Sequence, residues 1–62
     1  DRGRRILREI LGIDYEAAGA LLAEAGGRVK TALVMGRLGM DREAAERRLE
    51  DAGGFLRRAL EP

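Results

Sequence analysis

Apolar residues along this 62-residue chain recur at steps of three and four, and glycines interrupt the runs. Leu7, Ile10 and Leu11 form one such stripe, and Ala18, Leu21, Leu22 and Ala25 form a second. Ala45, Leu49 and Ala52 make another, and Phe55, Leu56, Ala59 and Leu60 close the series. That spacing places each set on one side of a helix. Nothing alternates at period two and β-branched residues are few, so no strand is expected. The pattern predicts an all-α chain of about five short helices, near 3–11, 14–25, 28–38, 41–52 and 54–60.

The third helix breaks the one-sided pattern. Val29, Ala32, Leu33, Val34, Met35 and Leu38 surround more than one face, which predicts a helix packed on both sides. Gly19 and Gly36 lie inside helices, where each costs about 1 kcal/mol relative to Ala. Their expected use is close approach between helices.

Shifted by 27 residues, the chain matches itself. Residues 11–35 align with 38–62 at 12 of 25 positions, among them Asp14/Asp41, Glu16/Glu43, Leu22/Leu49 and the pairs Gly26-Gly27/Gly53-Gly54. Such an internal repeat indicates one supersecondary unit used twice. Asp14 and Asp41 are N-cap candidates, with Glu16 and Glu43 in the following turn where the helix dipole favours negative charge. Each glycine pair is placed to end one helix and begin the next. The expected architecture is a single helical domain over 1–62, two interlocked three-helix units sharing the central helix.

Composition narrows the chemistry. The chain has no Ser, Cys, His, Asn, Gln or Trp, so most nucleophiles, the neutral-pH acid/base residue and soft metal ligands are missing. Thr31 and Tyr15 are the only hydroxyls, with no His to activate them. No catalytic residue is expected in this chain, and no cofactor. Without cysteine, membrane-length apolar run or signal peptide, the default setting is the cytoplasm. The chain lacks an initiator Met, the expectation for a domain of a longer protein.

Eleven arginines and Lys30 face eleven acids, for a net charge of +1. The charge comes in blocks, +3 over residues 1–8, −4 over 9–27, +3 over 28–37 and −2 over 41–51. A nucleic-acid binder usually carries one sign along a stripe, so Arg2, Arg4, Arg5 and Arg8 do not make this chain one. Its helices also lack the Asn, Gln or Ser that accompany Arg at base edges. Neither nucleic acid nor membrane is an expected partner. Glu43, Glu46 and Glu50 share a helical face, but Arg42, Arg47 and Arg48 interleave with them, which points to ion pairs rather than a metal site. Lys30 is the one candidate for a ligand contact. It falls in the first turn of the central helix, where an ammonium beside free backbone N–H groups suits a phosphate.

The order hydrophobic-Gly-hydrophobic, E-x-A, Leu, Gly turn and A-L helix, carried by Leu11-Gly12-Ile13, Glu16 to Ala18, Leu22, Gly26-Gly27 and Ala32-Leu33, resembles the ubiquitin-associated three-helix fold. The longer string over residues 16–60 is similar to the C-terminal helical domain of bacterial N-acetylmuramic acid 6-phosphate etherases, relatives of the glucokinase regulatory protein. Its most specific element is G-G-x-V-K-x-A-x-V-M, met here by Gly26, Gly27, Val29, Lys30, Ala32, Val34 and Met35. Arg28 stands where the family often has another polar residue.

The resemblance implies a cytoplasmic homodimeric lyase of cell-wall recycling, which cleaves a lactyl ether to give N-acetylglucosamine 6-phosphate and lactate. Its chemistry would belong to carboxylates of a preceding sugar-isomerase-type α/β domain. The helical domain would pack on that domain and help close the sugar-phosphate site, and Lys30 falls inside the family's most specific element. A different reading is an independent ubiquitin-associated-like module that binds a partner protein through Leu11–Ile13 and Leu38–Met40.

Overall fold

In the computed structural model, residues 2–61 are described. Five helices follow one another: α1 (Arg2–Leu11), α2 (Tyr15–Glu24), α3 (Val29–Leu38), α4 (Arg42–Asp51) and α5 (Leu56–Leu60). No strand occurs among the described residues, in line with the all-α expectation. Asp1, the acid of the first charge block, and Pro62, the last position of the second repeat segment, lie outside the described residues.

Helices α2, α3 and α4 each begin one residue later than periodicity alone suggests, because the expected first residues Asp14, Arg28 and Asp41 are their N-caps. Asp14 and Asp41 hold extended backbone (φ −77°, ψ 171° and φ −78°, ψ 175°), and each carboxylate accepts from the backbone N–H three residues on. The distances are 2.7 Å from Ala17 N and 2.9 Å from Ala44 N. Both bonds satisfy a donor that the first turn would leave without a partner. The last helix starts only at Leu56, since Phe55 is its extended N-cap (φ −89°, ψ 112°) and lends no side-chain bond.

Helices α2 and α4 also end alike. Gly26 N donates to Ala23 O (3.0 Å) and Gly27 N to Leu22 O (2.9 Å); Gly53 N donates to Glu50 O (3.0 Å) and Gly54 N to Leu49 O (2.8 Å). These are the paired bonds of a Schellman ending. Both members of each pair are left-handed, with φ of 68° and 81° at Gly26 and Gly27 and 69° and 84° at Gly53 and Gly54. Two successive left-handed residues reverse the chain within a few bonds, which only glycine permits without strain.

Packing assembles two triangles on a common side. Helices α1, α2 and α3 contact one another in all three pairings, as do α3, α4 and α5. The shared helix is therefore covered on two sides, and Thr31, Ala32, Leu33, Val34 and Met35 form an unbroken buried run along it. Half of the ten buried apolar residues are alanines, namely Ala18, Ala25, Ala32, Ala45 and Ala59. Small side chains let short helices approach closely, while Leu7 and Val34 are the largest side chains fully enclosed.

Both helix-interior glycines face α1. A Cβ at Gly36 of α3 would come within 2.6 Å of Leu11 Cδ1 and 3.1 Å of Leu21 Cδ2. One at Gly19 of α2 would meet the Arg4 guanidinium at 2.7 Å. Two expected core positions differ. Ile10 is 46% exposed near the end of α1, and Phe55 is 62% exposed because it precedes α5 instead of lying along it.

Candidate functional site

Lys30 occupies the first turn of α3, directly after the Gly26-Gly27 reversal and the N-cap Arg28. Arg28 contributes no side-chain cap, so the first N–H groups of α3 rely on other partners. The Lys30 side chain runs to the other end of the repeat, where Nζ donates to the carbonyl oxygen of Gly54 at 3.1 Å. An ammonium has three donors, so this bond leaves two for a ligand.

Gly54 also lines a shallow surface hollow together with Arg28, Thr31, Glu46, Leu49 and Glu50. Its cation Arg28 faces two carboxylates, and Glu46 is already paired with Arg42 at 3.1 Å. The local charge is mixed, so these residues do not by themselves make a phosphate cradle. A phosphate at Lys30 would have to be completed by a second element.

The remaining candidates sort by geometry. Glu43 pairs with Arg47 at 3.4 Å and Glu46 with Arg42, both between residues four apart on α4, as the interleaved charges suggest. No group of three or more acidic, His or Cys side chains among the described residues is placed to hold a metal ion. Thr31 is buried on α3, while Tyr15 is exposed at the start of α2 with the Arg4 guanidinium 4.8 Å from its ring centroid. Tyr15 and Gly19 lie on one face of α2, so Gly19 provides the gap in which that guanidinium stacks. Except for half-buried Glu46, every described carboxylate is exposed. None stands in a dry pocket of the kind that general acid catalysis uses.

The sequence marked Arg48 only as one of the arginines interleaved with the acids of α4, and its contacts to α5 were not expected. From the last turn of α4 its Nε donates to Ala59 O at 2.5 Å and Nη2 to Glu61 O at 2.6 Å, which ties down the end of α5. Neither that interleaving nor its place near a helix end says anything of the helix it serves. No helix among the described residues is long and apolar enough to cross a membrane.

No family model matches the chain, and no solved structure does. Among curated proteins, the N-acetylmuramic acid 6-phosphate etherase of Deinococcus radiodurans is 55% identical over 38 residues, covering 61% of this chain and 12% of that protein. The etherase of Salinibacter ruber is 51% identical over 35 residues, and that of a Synechococcus strain is 54% identical over 35. Each of these two covers 56% of this chain and 11% of the relative. The resemblance read from the Gly26–Met35 element is thus borne out: the chain is similar to N-acetylmuramic acid 6-phosphate etherases over a segment that makes up 11–12% of those relatives.

Proposed function

We propose that this chain is an accessory helical segment of an etherase acting on N-acetylmuramic acid 6-phosphate in the cytoplasm. In this reading it packs against a sugar-isomerase-type α/β domain of a homodimeric enzyme and helps close the sugar-phosphate site. That other domain performs the chemistry, elimination of the lactyl ether and addition of water, giving N-acetylglucosamine 6-phosphate and lactate. The observation that carries the reading is the identity of 51–55% to three etherases. The exposed carboxylates and the lack of any His or Cys support placing catalysis elsewhere. The matching caps and glycine reversals of α2 and α4 support reading α1–α3 and α3–α5 as two ubiquitin-associated-like repeats.

Lys30 is the residue assigned to the sugar phosphate. It keeps Gly54 with one N–H and offers the other two to the phosphate, a charge-assisted contact stronger than one to a neutral carbonyl. In an etherase carrying this segment, Lys30→Ala raises KM for the sugar phosphate, and unchanged KM and kcat overturn the assignment. The wider reading is tested by removing the matching segment from the Deinococcus radiodurans enzyme. The expected loss is at least about tenfold in kcat/KM, since displaced positioning elements carry penalties of that order or more. Full activity without the segment rejects an accessory role.

A further inference from the structure

Three hydrogen bonds between described residues run from a side chain to a backbone group more than four positions away, and all three end on the last turn of α5 or on the residues flanking it. Lys30 Nζ holds Gly54 O at the entry. Arg48 holds Ala59 O and Glu61 O at the exit. The helix between them is five residues long, well below the length at which a helix persists alone in water. It follows two left-handed glycines, and its N-cap Phe55 gives it no side-chain bond. Its buried contribution is Ala59, with half-buried Leu56 and Leu60 packed against the core. The other four helices have ten residues each.

We propose that α5 is a latched strap. Lys30 pins its start and Arg48 its end. It opens as a unit about the Gly53-Gly54 reversal while α1 to α4 stay folded. Opening uncovers the surface of α3 and α4 on which α5 packs. The inference concerns this chain alone and stands whether or not the etherase reading holds.

Native-state hydrogen exchange of the 62-residue chain, followed by NMR, tests it. The amides of Ala59 and Leu60 should exchange through an opening that depends little on denaturant, whereas those of Ala32 and Leu33 should follow global unfolding. Lys30→Met should speed exchange of the α5 amides about threefold to tenfold, the scale of one lost hydrogen bond, and Arg48→Met, which loses two, about tenfold to a hundredfold. Asp14→Ala should speed exchange in α2 and leave α5 unchanged, because its cap survives in the strap-open form. The proposal is overturned if α5 amides share the denaturant dependence of α3. It is equally overturned if they accelerate with Asp14→Ala as much as α2 does, or if neither latch variant alters them.

Discussion

The ammonium of Lys30 and the carbonyl oxygen of Gly54, 24 positions apart in the chain, meet at 3.1 Å and join the start of α3 to the turn before α5. Both groups are exposed, so water competes for each and the bond lies at the low end of its range. Lys30→Met, which keeps the aliphatic stem, is expected to cost about 0.5–1 kcal/mol. In a domain this small that lowers the thermal midpoint by roughly 2–8 °C. Calorimetry of the two proteins checks it.

The paired caps give a prediction with internal control. Asp14→Ala and Asp41→Ala each remove one carboxylate acceptor from a first-turn N–H, at a cost of about 1 kcal/mol. The two bonds share no partner, so the double variant should lose the sum to within about 0.5 kcal/mol. Urea melts of the four proteins measure this, and strong non-additivity would mean that the two units communicate through α3.

An alanine-rich core penalises changes in either direction. Leu7→Ala empties the position of one of the two largest enclosed side chains and should cost about 2–5 kcal/mol. Ala32→Leu, fully buried on the helix that both triangles share, overpacks and should cost about 1–3 kcal/mol. Total stability for a chain of this length is only about 3–9 kcal/mol. The double variant should therefore lose most of it, and thermal melts followed by circular dichroism should place its midpoint well below that of either single variant.

Gly27 separates conformation from space. Its φ is 81°, and a Cβ there would meet nothing within 4 Å. Gly27→Ala should therefore cost about 1–2 kcal/mol from backbone strain alone. Thermal melts of Gly27→Ala beside the unaltered chain check it.

What could be read from the sequence was what is settled within a few residues. The carboxylates of Asp14 and Asp41 act three positions away, and the glycine reversals close bonds over three to five positions. Helix type, approximate ends and the two-sided burial of α3 follow from such local rules. Ile10, near the end of α1, and Phe55, which precedes α5, were misplaced because periodicity does not encode where a helix starts or stops. Gly36 announced a close approach, but only the packed structure names Leu11 as its partner. The same limit applies at the candidate site. The place of Lys30 in the first turn of α3 was legible, whereas its bond to Gly54 and those of Arg48 to Ala59 and Glu61 exist only once α3, α4 and α5 are packed.

Exchange of parts between related proteins puts the etherase reading to the test. In the Deinococcus radiodurans enzyme, the segment matching this chain is replaced by the chain itself, and kcat/KM for N-acetylmuramic acid 6-phosphate is measured beside the deletion. At 55% identity over 38 residues the two segments should present closely similar packing surfaces. The graft is expected to restore kcat/KM to within about tenfold of the intact enzyme, a difference of about 1.4 kcal/mol. A folded graft no more active than the deletion would contradict the reading.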